Sequence, residues 1–362
     1  MMKKKLKLRH IILAALNAAA IAAALIITAA GNSLAKSQRY NYAADRWTQG
    51  KGGCTQVSCF FSDDSGFTKD SVMSVRMSLL NSLKSAAVRQ KKSETLTPDA
   101  YSAPVGRFSV TCDRQGYSQA DVTAVGGEFF LFRSFDLLHG CYISDSDLMQ
   151  DGAVIDRTLA FELYGSDNIA GMNIYINNVR FKVAGIIDDP RTEYERECSG
   201  AYPKAYILYS QASKLAGGDT PFGKVSCYEC IVPDPVENFG FSAVEKIFSS
   251  GYENKVLLVN NTDRFSSSVR VKELKNLSRQ GVRNEAIKLP YWENASRIAE
   301  HKLTVMYSIR NTIHVIPLLT TMLIIVKSYR WFRRKRKVIF NRIADKAYAL
   351  MCQILVKRKS DR

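Results

Sequence analysis

Two apolar runs frame the chain. Ile11 to Ala30 is twenty residues without a charge, at 1.5 Å per residue roughly the 30 Å thickness of a bilayer core. It predicts a membrane helix over residues 10–31. A secretory signal peptide also has a basic start and small residues after its apolar stretch, here Ala29, Ala30, Gly31 and Ser33-Leu34-Ala35. Its apolar region spans only about 7–15 residues, so the run reads as an uncleaved anchor. The second run, Leu303 to Val326, contains Arg310, His314 and Pro317. Arg310 lies toward the outer end, where a long side chain snorkels to headgroups, and proline is tolerated within membrane helices. It predicts a second span over residues 303–327.

Between the runs the periodicity alternates between 2 and 3.6. Ser33 to Gly53 is polar, with Gly50, Gly52 and Gly53, and reads as an irregular stalk. Val57 to Phe61 predicts a strand, Asp63 to Gly66 a turn, and Lys69 to Ser85 a helix striped by Val72, Val75, Leu79, Leu80 and Leu83. A second β-α unit follows late in the chain: a strand over Lys224–Val232, a helix over Val236–Phe248, then a strand over Lys255–Val259. Val-Ser-Cys-aromatic recurs at Val57–Phe60 and Val225–Tyr228, a weak hint of an internal repeat. The middle is β-rich, with strands at Arg107–Cys112, Asp121–Val125 and Ala153–Ile155. A short helix over Thr158–Tyr164 stops at Gly165, and a hairpin over 171–187 turns at Asn177-Asn178.

The expected fold is therefore α+β, with two transmembrane helices flanking a large extracytoplasmic domain over 32–302. Within it, a β-α-rich subdomain from about 54–104 and 217–295 receives an inserted β-rich subdomain at about 105–216.

Charge sets the expected topology. The tails at 1–9 and 328–362, with Lys327, carry +16 of the formal +17, whereas His10 to Val326 has 33 basic and 32 acidic residues. A near-neutral body argues against nucleic acid as a partner, and basic blocks beside apolar runs mark both termini as cytoplasmic. The tail from Val338 to Val356 is striped by Ile339, Ile343, Ala347, Leu350, Met351 and Ile354 but holds Arg342, Asp345 and Lys346. It predicts an amphipathic helix on the inner membrane surface, in contact with lipid. In the first span, Asn17 with Ala15, Ala19 and Ala23, and the parallel rows Ala14/Ala18/Ala22 and Ala20/Ala24, predict close helix packing.

Candidate chemistry is sparse. Seven cysteines lie in the exported part; Cys54, Cys59, Cys198, Cys227 and Cys230 are candidate disulfide or thiol positions, with no pairing selected by spacing. Cys227-Tyr-Glu-Cys230 has the spacing of a redox or zinc knuckle but lacks a second ligand pair. There is no Walker A pattern, no Gly-x-Ser-x-Gly elbow, and His10, His139, His301 and His314 are scattered. Asp188-Asp189 and Asp145/Asp147 are acidic pairs of the kind usually solvated in turns. No catalytic, metal or cofactor site is expected.

Val122-Thr-Ala-Val-Gly-Gly-Glu-Phe-Phe130, Leu137–Gly140, Asp145-Ser-Asp147 and Ala153–Gly165 occur in order, followed by Gly171–Ile176 and Phe181–Ile187. This order resembles the MacB-type periplasmic core domain of FtsX-like ABC transporter permeases. That family's Ala-x-x-Leu-Phe-Gly, Gly-Lys-x-Ile and Phe-x-Val-x-Gly-Ile elements are similar to Ala160–Gly165, Gly171–Ile174 and Phe181–Ile186. The resemblance implies a bacterial plasma-membrane protein whose exported domain has two subdomains. It further implies a non-enzymatic subunit, without cofactors, that couples a separate cytoplasmic ABC ATPase to the exported domain. Family permeases continue into two further spans, but no third apolar run follows Val326 here. A partner multi-span permease or a second copy would then supply them, and the 338–356 segment would occupy the place of the ATPase-coupling helix. The alternative is a membrane-anchored extracytoplasmic sensor or adaptor without ATPase coupling. A thiol oxidoreductase acting through Cys227 and Cys230 is a weaker third reading, because no strand-to-helix turn surrounds the pair.

Overall fold

The computed structural model describes residues 2–38, 41–88, 96–190, 192–217, 222–273 and 287–360. Two compact units result: Asn32–Val305, and a smaller one made of Met1–Gly31 with Met306–Arg362.

The smaller unit pairs helix α1 (Met2–Ser37) with the distal part of the last helix, α10 (Tyr291–Ser360). Both are long and apolar enough to cross a membrane. Ala20, Ala24 and Gly31 form the buried row of α1, and small side chains there let two helices approach closely. A Cβ on Gly31 would lie 2.7 Å from the Tyr307 ring. Asn17 accepts a hydrogen bond from Thr320 Oγ1 at 2.8 Å, and its own amide donates to Leu13 O. Ile26, Leu318, Met322 and Ile325 are exposed, an apolar surface suited to lipid rather than water. The helical backbone of α10 runs unbroken through 338–356, so the tail is not a separate helix. Residues 327–337 hold no Gly or Pro to stop it.

Among the described residues the larger unit has ten strands. β1 (Cys54–Phe61) lies between β10 (Val256–Asn260) and β9 (Cys227–Pro233), antiparallel to both. β9 continues onto β2 (Asp99–Cys112), which forms a long hairpin with β3 (Tyr117–Gly127). Beyond β3 come β8 (Lys204–Leu208), β5 (Gly152–Asp156), β7 (Val179–Asp188) and β4 (Asp136–Gly140). β6 (Asn173–Ile176) pairs with both β7 and β2. That second pairing closes β2-β3-β8-β5-β7-β6 into a six-stranded ring. Ile174, Ile176, Phe181, Val183, Ala205, Ile207 and Val110 form its apolar interior together with Leu159, Ala160 and Leu163 of helix α5 (Arg157–Tyr164). β2 runs through both halves of the sheet, with a register shift between Pro104 and Gly106.

Local chemistry explains the element boundaries. Helix α3 (Lys69–Ser85) starts at a Thr68–Ser71 capping box and buries Val72, Val75, Leu79 and Leu83. Asp156 caps α5 by accepting from Leu159 N at 2.7 Å, and Gly165 ends it at φ 73°. Asn177 and Asn178 take φ 48° and 64° at the β6–β7 turn. After the short α7 (Ala212–Leu215), helix α8 (Phe239–Ser249) begins three residues later than the sequence suggests, after Pro235 and a left-handed Asn238. Lys224 stands outside β9, in an isolated backbone bridge to Thr68. One face of β1 and β9 packs on α3 and α8 through Val57, Cys59, Phe61, Tyr228, Cys230 and Val232.

Two stretches of the expected stalk are helical. α1 continues to Ser37, and α2 (Ala43–Trp47) buries Ala43 and Ala44 at 0 and 2% exposure in a third apolar cluster with Phe129, Tyr206 and Trp292. Polar flanks hide two small buried alanines from any periodicity test.

Candidate functional site at the root of the last helix

The sheet face opposite α3 and α8 is polar where β1 meets β9. Side chains alternate across a strand, so Gln56 and Ser58 point away from Val57 and Cys59, and Glu229 points away from Tyr228 and Cys230. Ser58 lies directly opposite Glu229 in the ladder and donates to its carboxylate at 2.6 Å. Three buried polar groups on a sheet face need partners, because an unpaired charge in the interior is costly.

Their partners come from the segments that lead out of the domain. Gln56 accepts from Ala43 N at 2.7 Å and donates to Asn41 O at 3.2 Å, fixing α2 on the sheet. Arg133, just after α4 (Phe129–Phe132), reaches both oxygens of Glu229 at 2.5 Å. The pair is 7 and 2% exposed. Arg133 also donates to Asn41 Oδ1 at 3.1 Å and lies 4.9 Å from the Trp292 ring centroid. Asn261, after β10, donates to Ser58 at 2.7 Å and accepts from Arg264 at 3.0 Å.

Arg264 carries the network into α10. It holds Glu293 through two bonds of 2.8 Å and Glu300 at 3.0 Å, and the Arg264–Glu293 pair is 4% exposed on both sides. Arg270 of α9 (Ser267–Lys272) meets Glu300 at 2.8 Å, and Arg297 meets Glu293 at 2.9 Å. Burial pushes the Glu293 carboxyl up, but Arg264 and Arg297 more than offset it and hold it below the usual range. Asn41 donates to Ser296 at 3.3 Å. The first three turns of α10 are thus held by charge-assisted bonds from two directions.

A second anchor sits beside Tyr291. Its hydroxyl donates to Asp189 at 2.5 Å, as does that of Tyr206 at 3.1 Å, and Lys204 Nζ lies 4.7 Å from the Tyr291 ring centroid. Burial raises the Asp189 carboxyl, with the Tyr291 bond acting against it. Lys204 N donates to Asp156 at 2.8 Å, and burial pushes that carboxyl up to about 7. On α6 (Glu193–Cys198), Tyr194 accepts from Lys302 Nζ at 2.9 Å. The cavity between Asn41, Arg133, Asp189, Glu195, Tyr291 and Trp292 is about 10 Å³, room for roughly one water. Small-molecule recognition needs far more space.

Of the cysteines, Cys227 borders this root, within electrostatic reach of Glu229, Arg133 and Glu293. Cys227 and Cys230 are three apart on one strand, so their side chains face opposite sides of the sheet. Cys59 shares the α3/α8 face with Cys230, Cys54 is half-buried at the start of β1, and Cys198 ends α6; all are free thiols. Burial pushes Cys59, Cys227 and Cys230 well above the usual thiol range, which suppresses the reactive thiolate. Asp188 is exposed and faces Arg157 at 3.7 Å, so it forms no dyad with buried Asp189. Asp145 accepts from Gly127 N, and Asp147 from Ser144 N. Among the described residues no group of three His, Cys, Asp or Glu is placed to hold a metal.

Of the expected helix-packing residues, Asn17 lies at the contact with Thr320, Ala23 is half-buried, and Ala15 and Ala19 are exposed. In the tail, Ala347 and Leu350 are exposed, while the side chains of Ile339, Ile343, Met351 and Ile354 lie outside the described residues. Sequence reasoning passed over Gln56, Ser58 and Glu229. Their signal was polar residues at alternate positions of apolar strands.

A family profile described as MacB-like periplasmic core domain matches residues 18–222. Among solved structures, the periplasmic region of MacB from Actinobacillus actinomycetemcomitans is 15% identical, covering 59% of this chain and 92% of its own, with a TM-score of 0.38. The extracellular domain of the noncanonic ABC-type transporter YknZ from Gram-positive bacteria is 11% identical, covering 57% of this chain and 100% of its own, also at 0.38. No curated protein matches the sequence. With more than half of its length inside that profile, this chain belongs to the MacB-like periplasmic core domain family.

Proposed function

We propose that this protein is a non-enzymatic membrane subunit of a MacB/FtsX-like ABC system, coupling a separate cytoplasmic ATPase to an extracytoplasmic domain through α10. The observation that supports this most is the clamp on Glu293 and Glu300 by Arg264 and Arg270, which lie outside α10, on the same helix that carries the second apolar run. A helix fixed to its domain by buried ion pairs transmits displacement, where a flexible tether would absorb it. In this reading both termini are cytoplasmic, and the ring of strands within about 105–216 is an inserted subdomain that moves with β2 and β3. Ile339, Ile343, Ala347, Leu350, Met351 and Ile354 would meet the ATPase or the anionic membrane surface. A multi-span permease or a second copy completes the membrane part. The coupling free energy equals the difference in ATPase affinity between two states of the exported domain.

The test is purification of tagged full-length protein from its native membrane in mild detergent, with mass spectrometry of what accompanies it. An ATPase at near-stoichiometric yield is expected. Recovery of the protein alone, or only with exported partners, would favour an anchored sensor or adaptor.

A further inference from the structure

Leu148 is 100% exposed and Met149 74% exposed, together at the tip of the loop between β4 and β5. An isolated exposed leucine on a loose loop would carry little meaning. This loop is fastened on both sides of the pair. On the near side, Asp145 accepts from Gly127 N at 2.8 Å and from Tyr101 Oη at 3.3 Å, while Asp147 accepts from Ser144 N at 2.9 Å. On the far side, Gln150 accepts from Ser210 at 2.7 Å and Asp151 O accepts from Lys182 N at 2.9 Å. Four separate segments of the larger unit thereby hold two apolar side chains out in solvent. Fixing a loop in that posture costs conformational entropy with no burial in return, and it removes the ordering cost that a partner would otherwise meet on binding.

We infer that Leu148 and Met149 are a preformed docking anchor for an exported protein partner with an apolar socket and a basic rim. The charge of the rim follows from the loop itself. Ser144 to Asp151 contains Asp145, Asp147 and Asp151 and no Lys or Arg, so the anchor carries a local negative field that steers a basic surface and repels an acidic one. The same acids disfavour insertion into an anionic membrane. Leucine supplies the apolar contact, and methionine adapts its shape to the socket.

The test places a photo-crosslinking residue at Leu148 in the full-length protein in its native membrane, with the same residue at exposed Tyr117 as the control. Adducts are mapped to the peptide on the partner. The expected result is a defined adduct to an exported protein at a segment rich in Lys or Arg. Its yield should fall by about tenfold in Asp147→Lys, where steering reverses, and fall similarly when salt is raised to ~1 M, where the Debye length shrinks to about 3 Å. A Met149→Asp variant should lose the adduct while keeping the thermal midpoint of the parent. Adducts to lipid or to a second copy of this chain, no adduct above the Tyr117 control, or an adduct indifferent to Asp147→Lys and to salt would each overturn the inference.

Discussion

Replacing Glu229 by Ala leaves Arg133 inside the domain with its charge and without the carboxylate that it bonds, only the more distant Glu293 acting on it. The remaining contacts are Asn41 Oδ1 at 3.1 Å and the Trp292 ring at 4.9 Å. A cation over an aromatic ring contributes about 0.5–2 kcal/mol, far short of what desolvating a guanidinium requires. Breaking a buried pair by removing one partner costs about 3–5 kcal/mol, a large share of the ~5–15 kcal/mol that holds a domain folded. Removing both charges behaves differently. In Arg133→Met/Glu229→Met the buried charge is gone, and the residual loss is two polar partners, Ser58 and Asn41, at about 1 kcal/mol each. Ser58 still receives Asn261 Nδ2 at 2.7 Å, so the double variant should lie within ~2 kcal/mol of the parent. The assay is thermal unfolding of the full-length protein in detergent, in a double-mutant cycle. At roughly 2–4 °C per kcal/mol for a unit of this size, Glu229→Ala should lower the midpoint by about 6–20 °C, with the double variant recovering most of it. A single variant that costs under about 1 kcal/mol, or a double variant as damaged as the sum of the singles, would refute the assignment of a coupled buried pair.

Three further outcomes follow. Asp156 has a folded-state value of about 7 against an ordinary 3.8, so the folded domain keeps a proton that the unfolded chain releases. Its contribution is complete below 3.8 and is lost as pH rises to about 7, which lowers unfolding free energy by about 2–3 kcal/mol between pH 5 and 7.5; denaturant titrations should show Asp156→Asn flattening that slope, and an unchanged slope would rule the group out. In the membrane helices, an Asn17→Cys/Thr320→Cys pair should oxidise readily to a disulfide in intact membranes while Ala15→Cys/Thr320→Cys stays reduced, read by gel shift under oxidant; the reverse preference would contradict the buried row of α1. Finally, a bulky maleimide should label exposed Cys141 in the native protein but leave Cys59, Cys227 and Cys230 unmodified until denaturant is added, and rapid native labelling of Cys227 would contradict its burial.

Much of this architecture was legible locally. The stripe of α3, the Gly165 stop of α5, and the Asn177-Asn178 turn are short-range choices made by propensity and capping, and the structure follows them closely. What escaped was long-range. Nothing in Asn173–Ile176 signals that it pairs with β2 as well as β7, because ring closure depends on registers some sixty residues apart, such as Val110 opposite Ile176. The recurring Val-Ser-Cys-aromatic segments lie at or beside neighbouring antiparallel strands, with Cys59 opposite Tyr228. In Cys227-Tyr-Glu-Cys230 the cysteines drew attention, yet the strand points them to opposite faces. Glu229 is the member that joins the network. Its partner Arg133 stands 96 residues away, so the polar alternation could flag the site without naming what completes it.

The proposed coupling role of α10 is tested most directly by hydrogen exchange on the protein purified with the ATPase that the proposal requires, compared with and without ATP under turnover. ATP should change the protection of amides across residues 287–305 and of their partners around Glu229 and Arg264, since a clamped helix passes its displacement to the groups that hold it. Identical exchange at the root of α10 in both conditions, with the ATPase bound and active, would contradict transmission through this helix.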